Sequence, residues 1–184
     1  LGYVQSGKTA NMAATIANAS DRGYKLIIVL AGMTKALRKQ TQSRLMKDLT
    51  NHREDLWHLE TSIEDDFLSR NAIPVFLNEK KTTLIVVKKN VPVLKRLEKS
   101  ILKIASVSRA KIPTLIIDDE CDHYSIDTKK TPRDNNGNFE PDSDPTKING
   151  LIRKLLQCFS RRIYVGYTAT PFANIFIHED GTTK

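Results

Sequence analysis

The chain is poor in the residues that build metal centres. It has two cysteines, Cys121 and Cys158, and four histidines in 184 residues, and neither set shows metal-ligand spacing. So few cysteines fit a reduced, intracellular setting, and a cytoplasmic location is expected. No run of about 18 apolar residues occurs, which excludes a membrane-spanning helix. There is no internal repeat and no methionine at the start, so the chain reads as a fragment of a longer protein. Acidic charge is also short: 21 Asp and Glu stand against 29 Lys and Arg, a formal net charge of +8. The basic residues cluster at Lys35, Arg38, Lys39, Arg44 and Lys47, at Lys80 and Lys81, at Lys88 and Lys89, and at Lys95, Arg96, Lys99 and Lys103. Each cluster alone is an ordinary solvated helix face, but their sum favours a polyanionic partner such as nucleic acid. The length suits one well-cored domain.

What is present begins at once. Gly2-Tyr3-Val4-Gln5-Ser6-Gly7-Lys8-Thr9 spells G-x-x-x-x-G-K-T, a phosphate-binding loop. Glycines let the backbone turn tightly, so that the N–H groups of Gln5, Ser6, Gly7, Lys8 and Thr9 can point at phosphates. Lys8 is placed to reach the β- and γ-phosphates of a nucleoside triphosphate, and the Thr9 hydroxyl to ligate Mg²⁺. The alanine-rich stretch from Thr9 to Ala19, with Met12, Ile16 and Ala19 at helical spacing, predicts a helix whose N-terminal dipole faces the phosphates. Gly23 is its expected C-terminal cap. Such a loop follows a buried strand, and that first strand is missing here.

Further along, short apolar runs alternate with helical patterns. Strands are expected at 24–31, 83–87, 114–117 and 162–167, and helices at 34–49, 91–107 and 149–161. Residues 51–83 show no consistent period. Residues 125–147 are polar, carry Pro132, Pro141 and Pro145, and read as a long exposed loop or insertion. Apolar strands alternating with helices predict an α/β fold, a parallel sheet covered on both faces with ligands at the carboxyl ends of the strands.

The expected strand at 114–117 runs into Asp118-Asp119-Glu120-Cys121-Asp122. A phosphate loop needs an acid on a neighbouring strand to hold hydrated Mg²⁺, and a base to activate the attacking water. Asp119 is assigned the metal and Glu120 the water, with Asp118 as the alternate metal ligand. Position after the apolar run favours Asp118, whereas the D-E-x-D spelling favours Asp119.

Four motifs together resemble the first motor lobe of superfamily-two helicases, a RecA-like P-loop domain. Gly2 to Thr9 matches the first motif, and Asp119 to Asp122 matches D-E-A-D/H with Cys in place of Ala. Thr168-Ala169-Thr170-Pro171 matches the S/T-A-T motif, and Ile27 to Gln40 is similar to the motif that grips the nucleic-acid backbone, with Gly32 where Pro is usual. At finer grain GYVQSGKTANM, IIVLAG, VVKKN, IIDDECD and GYTATPFANIF resemble the Z-one family, a domain associated with endonucleases in bacterial restriction and phage-defence proteins.

The resemblance implies ATP and Mg²⁺ as cofactors. It implies nucleic acid, taken as double-stranded DNA, as partner, and a second lobe outside this chain that supplies arginines to the cleft. Thr168 and Thr170 would couple the nucleotide site to the nucleic-acid track through Asp122. Arg38, Lys39, Gln40, Lys88, Lys89 and Asn90 would contact the nucleic-acid backbone. The whole of 1–184 would be one lobe, inactive alone, with any nuclease module elsewhere. The alternative is a nucleotide-gated switch or scaffold that does not translocate.

Overall fold

Three runs of branched apolar residues form the centre of the molecule, because a strand covered on both faces must be apolar at every position. In the computed structural model, which describes residues 7–51, 53–68, 81–121 and 145–168, these runs are β1 (Leu26–Ala31), β3 (Thr82–Lys88) and β4 (Thr114–Asp119). Two further strands, β2 (Trp57–Leu59) and β5 (Arg162–Tyr167), complete a five-stranded sheet of order β2-β3-β1-β4-β5. Every pairing is parallel, with Ile28 between Ile85 and Ile116 at the centre. All five strands therefore end on one edge of the sheet, where Gly32, Lys89, Glu120 and Thr168 follow their strands.

Side chains alternate across a strand, and the alternation builds two separate cores. On one face Ile27, Val29, Leu84, Val86, Leu115 and Ile117 meet Met12, Ala13 and Ile16 of α1 (Lys8–Asp21). Leu45, at the end of α2 (Lys35–Leu45), and Leu49, in the π-helical turn Met46–Thr50, join them. On the other face Leu26, Ile28, Leu30, Ile85, Val87 and Ile116 pack against α3 (Val91–Leu102) and α5 (Pro145–Gln157). The α3 face buries Val93, Leu94, Leu97 and Ile101. Each such side chain contributes about 1.5–3 kcal/mol relative to exposure, so tertiary burial is what holds this helix. The covered parallel sheet is the α/β, RecA-like fold expected from the sequence.

Local signals set most boundaries. Helix α1 closes as anticipated: Gly23 has φ 84°, and its N–H bonds Ser20 O while Tyr24 N–H bonds Ala19 O. That pair of bonds is a Schellman motif, and it favours glycine. Thr34 Oγ1 accepts from Leu37 N at 3.2 Å and Asn90 Oδ1 from Val93 N at 3.1 Å, so each helix after β1 and β3 starts on a side-chain cap.

Two helices depart clearly from their expected bounds. The helix expected over 91–107 stops at Leu102, and a short α4 (Ser106–Lys111) follows. Bonds from Lys103 N to Ser100 O and from Ile104 N to Ile101 O tighten the last turn, and Ile104 stays in the core. The last helix spans Pro145–Gln157, not 149–161, so residues 145–147 belong to it and not to the expected loop. Residues 125–144 of that loop lie outside the described residues.

Candidate nucleotide site

The geometry begins at Gly7. Its φ of 84° is left-handed, it is the N-cap of α1, and no side chain caps the helix there. The first turn holds no acidic residue, so the positive end of α1 presents Lys8 with nothing on that turn to neutralise it. Lys8 Nζ lies 3.6 Å from Asp119 Oδ1, with both side chains partly exposed. Residues more than a hundred positions apart thus meet where α1 begins and β4 ends. Gln5 and Ser6 lie outside the described residues.

The two neighbouring aspartates part company because of strand alternation. Asp119 shares the face of Leu115 and Ile117, on which α1 lies. Asp118 shares the face of Ile116 and points the other way, into the α3/α5 side. There it is only 1% exposed, with Lys89 Nζ 2.8 Å from Oδ1 and the Tyr164 hydroxyl donating to Oδ2 at 2.7 Å. Lys89 also donates to the Asp119 carbonyl at 2.6 Å and the Glu120 carbonyl at 2.9 Å. Glu120 has φ 55°, the one left-handed non-glycine among the described residues. A residue held there costs on the order of 1–3 kcal/mol and persists only when its surroundings fix it. Its own N–H donates to Asp119 Oδ1 at 3.1 Å. Asp122 lies outside the described residues.

Gly32 and Gly166 make room around this loop. A Cβ on Gly32 would lie 2.9 Å from Leu37 Cδ1 and 3.6 Å from Glu120 Oε2. One on Gly166 would lie 2.8 Å from the Sγ of Cys121. The larger Cys in the D-E-C-D run therefore fits because β5 has no side chain opposite it.

The residues expected to grip nucleic acid do not share one environment. Arg38 is a correction: it is 1% exposed, and its guanidinium donates to the carbonyls of Ser62, Ile63, Asp65 and Val86. Its charge stitches the 62–65 segment to β3 and is not offered to a partner. Lys89 is a second correction, buried and committed as described above. Asn90 uses its side-chain oxygen as the α3 cap. Lys39 pairs with Glu64, holding that carboxyl below the usual range through their hydrogen bond. Lys88 is partly buried and Gln40 exposed. Thr168 is partly buried just after β5, and Thr170 lies outside the described residues.

Three residues around the site escaped the sequence reading. Arg44 Nη1 donates to Thr9 Oγ1 at 3.2 Å. The Tyr167 hydroxyl donates to Asn11 Oδ1 at 2.8 Å and lies 3.1 Å from Thr15 Oγ1, tying β5 to α1. Tyr164 holds Asp118 from the opposite face. Parity was the available signal: Tyr164 pairs with Ile116 and Tyr167 with Asp119, which assigns each tyrosine its face.

Residues 6–173 match the model of the type III restriction enzyme res subunit, well over half of the chain. The chain belongs to that res-subunit family. Its sheet is accordingly that of a superfamily-two-like helicase domain. No curated protein matches it. Among the described residues no helix is long and apolar enough to cross a membrane, and no group of three His, Cys, Asp or Glu side chains could hold a metal ion. A metal here would need ligands from the nucleotide as well as the protein, which is how Mg²⁺ is bound with phosphates.

Proposed function

We propose that this res-family chain binds ATP with Mg²⁺ at the start of α1 and hydrolyses it to drive movement along, or unwinding of, double-stranded DNA. The observation that carries the reading is the approach of Lys8 to Asp119 at 3.6 Å. It joins the phosphate loop to the acidic motif on the one face of the sheet that α1 covers. The donor set fits the cofactor: an uncapped helix start and an ammonium for phosphates, with a hydroxyl and a carboxylate for a hard cation. Mg²⁺ held by Thr9 and Asp119 would offset the charge that develops on the phosphates during hydrolysis.

The protein's own residues divide the work. Gly7, Lys8 and Thr9, with Gln5 and Ser6, hold the phosphates. Thr9 and Asp119 hold the cation, since the Thr9 hydroxyl that accepts from Arg44 keeps a second lone pair for it. Glu120 takes the proton of the attacking water. Thr168, Thr170 and Asp122 link this chemistry to the DNA. Lys39 and Gln40, in the segment that resembles the motif gripping nucleic acid, and Lys88 remain as contacts to the DNA backbone. A second lobe completing the cleft, a nuclease module elsewhere in the protein, a role in phage defence, a cytoplasmic setting and membership of the Z-one group belong to the same proposal.

The test is ATP turnover by the full-length protein with and without double-stranded DNA. DNA should stimulate it, Lys8→Ala should lower it by about 10²-fold or more, and Glu120→Gln by about 10²–10⁴-fold with ATP still bound. Stimulation by RNA alone would change the track. Binding without stimulation by any nucleic acid would favour a nucleotide-gated switch.

A further inference from the structure

We propose that Lys89 is a positioning residue for hydrolysis, a buried clamp that fixes the backbone from which Asp119 and Glu120 act. The inference rests on the ATPase reading above. An ammonium has three donors and no acceptor, and those of Lys89 have three acceptors close by. They are Asp118 Oδ1 at 2.8 Å and the carbonyls of Asp119 at 2.6 Å and Glu120 at 2.9 Å. Only the first is a charge partner. The other two are the backbone of the residues assigned to cation and water.

The same residue reaches a third loop. Lys89 N–H donates to the Gly32 carbonyl at 3.0 Å, and the Glu120 carboxylate lies over Gly32. One residue at the end of β3 thus ties the loop after β1 to the loop after β4. Glu120 sits at φ 55° between its N–H bond to Asp119 Oδ1 and the grip of Lys89 on its carbonyl. Asp118 and Tyr164 keep the ammonium aimed from below. The clamp touches neither nucleotide nor water. It sets the direction of the carboxylates that do.

Removing Lys89 alone leaves Asp118 buried without its cation, and the fold would suffer for that reason. The informative variant is therefore Lys89→Met with Asp118→Asn, which removes both charges and keeps an acceptor for the Tyr164 hydroxyl. In the full-length protein this double variant should regain much of the thermal stability lost in Lys89→Met. Its KM for ATP should stay within about twofold of wild type while kcat falls tenfold or more, since the interaction lost acts on hydrolysis and not on binding. Tyr164→Phe is the control: it loosens Asp118 but leaves both carbonyl bonds of Lys89 in place, so its kcat should fall far less than that of the double variant.

A double variant with wild-type kcat would overturn the clamp and leave the ATPase reading standing. So would a raised KM at unchanged kcat, or a loss of kcat in Tyr164→Phe as large as in the double variant. If the double variant does not fold, Lys89→Gln, whose amide still reaches a carbonyl, should keep KM within about twofold and lose less than about tenfold in kcat, and a raised KM at unchanged kcat would again overturn the clamp. Absence of turnover in the wild-type protein would bring down the ATPase reading itself and the clamp with it.

Discussion

Asp118 and Asp119 are the same residue one position apart, and they live in different chemistries. Asp119 faces α1, where it is partly open and meets Lys8 at 3.6 Å. Asp118 faces α3 and α5, where Lys89 and Tyr164 enclose it. The difference comes from the two-residue period of a strand and from which helices cover each face. One acidic run therefore divides into an accessible carboxylate suited to a cation and a sealed one that serves the architecture. The two faces can be set against each other by experiment.

The largest effect is expected from neutralising one aspartate at a time. Asp118→Asn leaves the Lys89 ammonium buried without a counter-charge, and loss of one partner of such a pair costs about 3–5 kcal/mol. Asp119→Asn, next to solvent, should change thermal stability little. Equal unfolding temperatures for the two variants would erase the distinction between the faces.

Gly166→Ala probes the sealed side by volume. A Cβ 2.8 Å from the Sγ of Cys121 must push something aside, at about 1–3 kcal/mol. Adding Cys121→Ala should restore most of the loss, and a denaturant series on the single and double variants measures it.

The tyrosines give a finer comparison. Tyr164→Phe removes a 2.7 Å hydrogen bond to a buried carboxylate and should cost about 1.5 kcal/mol. Tyr167→Phe removes bonds to neutral, more exposed partners on the α1 side and should cost about 0.5–1 kcal/mol. The reverse order would mean that the α1 side is the tighter one.

The smallest effect concerns a third carboxylate. Burial pushes the Asp66 carboxyl above the usual range, although it accepts from the N–H groups of Phe67 and Lys88. Between the ordinary value and the raised one, the folded chain holds more protons than the unfolded chain. Stability contributed at Asp66 therefore falls as pH rises through that window. In Asp66→Asn the decline should flatten, read as unfolding temperature against pH.

The legible parts of the sequence were those where one force dominates. The runs at 24–31, 83–87 and 114–117 announce buried strands because nothing but burial explains them, and the Gly23 cap follows from a backbone need. Residues 51–68 resisted because β2 is three residues long and lies at the sheet's edge. The segment after it is held by the Arg38 guanidinium and not by a periodic apolar face. Pro145 was read as a loop residue, although proline is equally at home in the first turn of a helix. At the site, residue type nominated Lys8, Asp119 and Glu120, and the structure brings Lys8 within 3.6 Å of Asp119. It could not show which cations are buried: Arg38 and Lys89 look like surface charges until carbonyls 24 or more positions away close over them.

The most direct measurement is the Mg²⁺ dependence of ATP affinity in the full-length protein, compared between Asp119→Asn and Asp118→Asn at a temperature where both are folded. The gain in affinity on adding Mg²⁺ should vanish in Asp119→Asn and persist in Asp118→Asn. A gain that persists in Asp119→Asn and vanishes in Asp118→Asn would contradict the assignment of the cation to the α1 face.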